Sequence, residues 1–128
     1  MSFFPEGNIE DKETLFRAIH PLHWNEEENR PTSALFKVRE GGVSVDRDGE
    51  RDDCIVLNSL LENRDGFGAG KINAGQTREI GTLLKPDPIE ANIFHSLILD
   101  SQSKICLSNS KAKNLSKNLI ILKFPSKM

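Results

Sequence analysis

NLIILKF, residues 118–124, is an unbroken apolar run of strand length. A strand without polar alternation is expected to be covered on both faces, so it reads as a central strand of a sheet. Upstream, Ala112 and Leu115 share a helical face behind Ser108 or Asn109 as N-cap candidates, which predicts a short helix. NIFHSLIL at 92–99 reads as a buried strand or a short helix. KPDP at 85–88 is a rigid loop. Thr77–Leu83 and Gly68–Ile72 read as strands joined by an Asn73-Ala74-Gly75 turn. A helix begins at Asp52 or Asp53, carries Ile55, Val56, Leu57, Leu60 and Leu61, and stops at Asn63–Gly66. Val43–Val45 is a short strand after the Gly41-Gly42 turn. SALFKV at 33–38 is a short strand or a helix entry, HWNEEENRP is a turn-rich connection with room for one helical turn, and ETLFRAI at 13–19 is a strand or a short helix. The order β, β, α, several β, α, β predicts an α+β fold. It is a single small domain over 13–128, a mixed β-sheet with two short helices, preceded by an N-terminal arm over 1–12. Phe3, Phe4 and Ile9 would pin that arm.

The 128 residues suit one domain. A net charge of -2 argues against a surface that coats nucleic acid, where Lys and Arg must neutralise phosphates. Arg17, Arg30, Lys37, Arg39, Arg47 and Arg51 lie close in sequence, but Glu26, Glu27, Glu28, Asp46 and Asp48 are interleaved with them. Cys54 and Cys106, the only two cysteines, sit among apolar residues and are expected as buried free thiols. The first residues, MSFFPEGNIEDKE, lack the basic and apolar regions of a signal peptide, and no apolar run has membrane-spanning length. A cytoplasmic protein without membrane attachment is the expectation.

The residues that packing does not explain concentrate between 15 and 47. Arg17 lies inside an apolar strand and needs an anionic partner, either an internal acid such as Glu79 or the phosphates of a nucleotide. His95 lies inside another apolar segment. It is either a buried histidine satisfied by a backbone carbonyl or a general acid/base, with Asn92 and Ser96 to orient it and KPDP to place it at a rim. Arg17 and His95 are therefore the catalytic candidates. His20, His23, Trp24, Arg30, Ser33, Ser44 and Arg47 are the binding candidates, supplying ring, hydroxyl and guanidinium groups on turns. Trp24 reads first as a packing or interface anchor. GFGAGK at 66–71 is not a phosphate loop, because Asp65 stands where glycine is needed and Ile72 where Ser or Thr is needed. Its glycines serve a strand that bends or is closely approached. His20 and His23 form H-x-x-H without the remaining ligands of a zinc motif, so no metal is expected. No cofactor motif is complete, and no cofactor is expected.

LFRAIHPLHW, RPTSALFK and GVSVDR together resemble a group of small, poorly characterised bacterial proteins. KPDPIEANIFHSLIL and SKAKNLSKNLIIL are similar to that group's C-terminal half. This resemblance implies a bacterial source and no particular activity. More distantly, LFR at 15–17 resembles the first-strand LYR of ADP-ribosyltransferase-like and RES-type toxin domains, whose arginine holds NAD. VSV at 43–45 echoes their Ser/Thr strand. The chain departs from them in having no Tyr and no E-x-E near its end, so Glu79 or Glu90 would have to supply the acid.

Two functions follow as expectations. One is a bacterial accessory or protein-binding module, of a phage-defence or toxin-type operon, docking on a protein partner from the same operon. The other is an enzyme acting on a nucleotide or nucleic acid, ADP-ribosyltransferase-like or nuclease-like, using Arg17 and His95. They separate on whether Arg17 and His95 share one cleft.

Overall fold

The computed structural model describes residues 3–37 and 41–126. Val38 and Arg39, which the sequence reading places at a strand end and in a basic run, lie outside the described residues. The chain forms β1 (Thr14–Ile19), β2 (Trp24–Asn25), β3 (Arg30–Pro31), β4 (Val43–Arg47), α1 (Asp53–Leu60), β5 (Gly68–Asn73), α2 (Ala74–Glu79), β6 (Leu83–Pro86), β7 (His95–Leu99), α3 (Asn109–Asn118) and β8 (Ile120–Lys123). Short 3-10 turns add Pro21–His23 and Ser33–Phe36. One six-stranded sheet runs β6-β7-β4-β1-β5-β8, and β2 pairs with β3 in a small hairpin.

The α+β class stands, with a core layer on each face of the sheet. The expected mixed sheet is antiparallel at every registered pair. The reason lies in β1. Helix α1 carries the chain between β4 and β5, which run the same way, but β1 lies between them and pairs antiparallel with both.

Both faces of the sheet are covered. On one face Leu15, Ile19, Val43, Val45, Ile72 and Ile98 pack with Leu35, Phe36, Ala112, Leu115 and Leu119, and with Ile9 from the arm. On the other, Phe16 and Ala69 pack with Val56 and Leu60 of α1. Burying an aliphatic or aromatic side chain contributes about 1.5–3 kcal/mol, so these paired layers dominate the stability.

Several elements depart from the sequence reading. NLIILKF forms an edge strand, since β8 pairs only with β5 and leaves Ile120 and Phe124 exposed. Its apolar continuity serves a half-covered edge rather than a buried centre. The expected strand Thr77–Leu83 splits into α2 and β6. Asn73 accepts from the Gln76 amide at 3.2 Å and starts a third helix, which the apolar count of the segment conceals. Cys54 is exposed and Cys106 half-buried; neither forms a disulfide, and the expected burial does not hold for Cys54. The glycines of GFGAGK act as expected. A side chain at Gly68 would collide with the Lys123 carbonyl and Pro125, and one at Gly70 with Leu119, so β8 closes on β5 only because both positions are bare.

The arm is tied down. Arg47, 3% exposed, forms a two-pronged pair with Glu13 at 2.7 and 2.9 Å and donates to the carbonyls of Gly7 and Asn8. Phe3 lies under the same guanidinium and against Phe94. Among the described residues, no helix is long and apolar enough to cross a membrane.

Candidate active-site cleft

β1 and β5 pair over six residues, whereas β1 and β4 pair only at Leu15/Arg47 and Phe16/Asp46. Beyond that row the two strands part, and Arg17 fills the opening. Its Nη1 donates to the Ser44 carbonyl at 2.8 Å, and its Nη2 and Nε donate to the Leu35 carbonyl at 2.8 and 3.3 Å. Alternation along β1 places Arg17 on the Leu15 face. The guanidinium therefore reaches through the gap to a cleft on the α1 side of the sheet.

That cleft, about 690 Å³, is lined by Arg17, Ala18 and Ser44 at the parting strands, with Asp46 and His95 beside them. Ser59, Glu62, Asn63, Arg64 and Phe67 form one wall from the end of α1 and the loop after it. His20 and His23 close it from the first 3-10 turn, and Ile89 and Asn92 from the loop before β7. Asp46 and His95 are cross-strand partners, so their side chains share a face.

Arg17 has no carboxylate within ion-pair distance among the described residues; all its bonded acceptors are neutral carbonyls. Glu79, the internal partner the sequence offers, is on α2 beside Asp11 and Arg78, lining a different depression. Burial, and then the positive charge of Arg64, pull the Arg17 guanidinium down to about 10. It remains cationic at neutral pH. Three of its roughly five N–H groups are spent on the carbonyls.

His95 is 17% exposed. Its Nδ1 faces the Asp87 carbonyl at 3.0 Å and the Asp87 carboxylate at 3.1 Å. The carbonyl contact of a buried histidine is present, and a carboxylate accompanies it. Asn92 and Ser96, expected to orient the ring, do other things. Asn92 donates to Asp46 at 2.8 Å, and the Ser96 hydroxyl is buried without a hydrogen-bond partner among the described residues.

His20 accepts from the Leu22 amide through Nδ1 and meets Phe67 edge-on at 4.9 Å. His23 is 5.9 Å from His20, ring to ring, and its Nδ1 has no hydrogen-bond partner among the described residues. Burial first, then the charges of Arg17 and His20, hold His23 below its ordinary value.

Five of the nominated residues thus meet in one cleft: Arg17, His20, His23, Ser44 and His95. The other four lie elsewhere. Trp24 packs edge-on against Phe124 at 5.4 Å as an anchor. Arg30 sits in the small hairpin, its Nε buried without a hydrogen-bond partner among the described residues. Ser33 starts the 3-10 turn that supplies the Leu35 carbonyl. Arg47 is the clamp of the arm. Asp87, Arg64 and Phe67 were not nominated. Asp87 alone carried a signal, an acid held between two prolines just ahead of His95. Among the described residues, no group of three or more His, Cys, Asp or Glu side chains is placed to hold a metal ion. No protein-family model, curated protein or solved structure matches the chain.

Proposed function

We propose that the chain is an enzyme acting on a nucleotide, with Arg17 as the phosphate anchor and His95 as the group that carries a proton. One observation supports this above the others: Arg17 and His95, far apart in sequence, line the same open cleft. A partly buried guanidinium without an acid beside it is costly, since an unpaired ion loses several kcal/mol of hydration. An entering phosphate supplies the missing charge and accepts from the N–H groups that the carbonyls leave over. Arg64 on the adjoining wall adds a second cation. The Phe67 and His20 rings offer an aromatic wall of the kind on which a base packs. Ser44 contributes an exposed hydroxyl at the floor. The resemblance of LFR to the NAD-holding arginine of ADP-ribosyltransferase-like domains points the same way.

The test is calorimetric titration of the full chain with pyrophosphate, AMP and NAD, each followed by chromatography for turnover. Binding is expected, and Arg17→Ala should weaken it about 10- to 100-fold. No binding by any of the three, or equal binding by the variant, would overturn the proposal.

The accessory reading, docking on a protein partner from the same operon, draws on one feature. Leu22, 83% exposed, lies in sequence between His20 and His23, which line the cleft. Co-purification with that partner, lost in Leu22→Ser, is its test.

A further inference from the structure

The geometry points to Asp87 as the positioning residue of His95, fixing the ring with its proton on Nδ1 and its lone pair on Nε2. Both groups that meet Nδ1 are oxygens of Asp87, the backbone carbonyl at 3.0 Å and the carboxylate at 3.1 Å. A carbonyl can only accept, and an ionised carboxylate can only accept, so the nitrogen between them must donate. Neutral His95 then has one basic nitrogen, Nε2, and it is the one not consumed by Asp87. Because the ring lines the cleft, a ligand proton meets an acceptor there rather than a second N–H.

The surroundings are built to hold this arrangement. Asp87 is flanked by Pro86 and Pro88, which limit its backbone. Its amide donates to the His95 carbonyl at 3.0 Å, so backbone and side chain of the two residues are tied together. Pro86 pairs with Ser96 in the β6–β7 ladder, which sets the register one residue away from the contact. Residue 92 is occupied with Asp46 on the facing strand and does not compete for the ring. The role of Asp87 in turnover rests on the nucleotide reading, but the tautomer itself does not.

The experiment is a long-range ¹H–¹⁵N correlation spectrum of the ¹⁵N-labelled full chain, with His95 assigned by the signal missing in His95→Gln. The wild type should show His95 as the Nδ1–H form. Asp87→Ala keeps the backbone carbonyl and removes only the carboxylate, so the Nε2–H form should rise measurably from a minor form, while His20 and His23 keep their signals. A wild-type ring protonated on Nε2 overturns the proposal, as does an Asp87→Ala spectrum in which His95 is unchanged. If Asp87→Ala does not fold, Asp87→Asn replaces it. The amide can still turn its oxygen to Nδ1, so the Nδ1–H form should persist, and its loss counts against the proposal. With a substrate from the titration panel, Asp87→Ala should lower kcat by about tenfold or more with KM little changed, inside the range acid–base catalysis supplies. A silent panel would end the nucleotide reading while leaving the tautomer result to stand or fall by itself.

Discussion

Arg17 and Arg47 project from the same face of neighbouring strands, yet they are solved differently. Arg47 is enclosed by Glu13 and by backbone carbonyls of the arm. Arg17 has the carbonyls of Leu35 and Ser44 and no acid. A buried arginine with a two-pronged carboxylate is a finished structural unit. One held only by neutral oxygens is oriented but not neutralised, and that leftover charge is what a ligand can use. The contrast separates a residue that keeps the chain folded from one that the fold keeps ready.

The comparison can be broken most directly at Arg47. Arg47→Ala leaves the half-buried Glu13 carboxylate without its arginine, with the Glu10 amide as its remaining hydrogen bond, and should cost about 3–5 kcal/mol, read by urea unfolding. Arg17→Ala removes hydrogen bonds to neutral carbonyls but also relieves an unpaired buried charge, and should cost only about 1–2 kcal/mol. Equal losses would end the distinction. On the ligand side the order reverses. Arg17→Ala should weaken pyrophosphate binding about 10- to 100-fold, the worth of hydrogen bonds to a charged group.

Phe67→Ala sharpens the picture of the cleft wall. It should weaken AMP by about fivefold or more, the low end of base-on-ring stacking, and leave pyrophosphate unchanged. Parallel losses for both ligands would place the base elsewhere.

The smallest effects are in pH. Burial by itself would raise the Glu13 carboxyl. The hydrogen bonds from Arg47 and the Glu10 amide, with the charges of Arg47 and Arg78, outweigh it and hold the carboxyl below its ordinary 4.5. A lowered acid stabilises the fold fully above 4.5, and that contribution is lost as pH falls through the folded value. Protection of the arm amides against hydrogen exchange should therefore drop in acid, and less so in Glu13→Gln relative to its own neutral value. His23 is lowered as well, so its folding linkage has the same sign, but its linkage to ligand binding runs the other way. Its proton is disfavoured by burial and by Arg17, and an anion on Arg17 relieves the second cause. Pyrophosphate affinity should rise as pH falls through 6.5, by less than about tenfold, and flatten in His23→Asn.

Much of this was legible in the chain. α1, β5 and α3 follow from apolar spacing and capping residues, β1 and β7 were legible only as apolar segments open to strand or short helix, and the glycines of GFGAGK point to a close approach. Apolar content alone could not tell an edge strand from a central one, because β8 is covered on one side by β5 and left open on the other. The helix at Ala74–Glu79 depends on one side-chain cap at Asn73, a local hydrogen bond that outweighs the strand-like composition after it. The cleft was half legible. Arg17 and His95 stand out as polar residues in apolar segments, and their meeting required both that β1 and β7 flank β4 and that the β1–β4 ladder stop early enough for Arg17 to reach through. Arg64 and Phe67 arrive from a loop with no pattern of its own. Arg47 looks like a ligand-binding arginine in sequence, and only the position of Glu13 reveals that it is already spoken for.

The short ladder between β1 and β4 makes the sheet two leaves of three strands, β6-β7-β4 and β1-β5-β8, stitched at Leu15/Arg47 and Phe16/Asp46. A sheet stitched at one end works like the spine of a book. Its free margin is the row of Arg17 and Ser44, and the guanidinium is the page marker that spans it. The arm, fastened to Arg47 at the stitch, therefore binds the spine as well as itself.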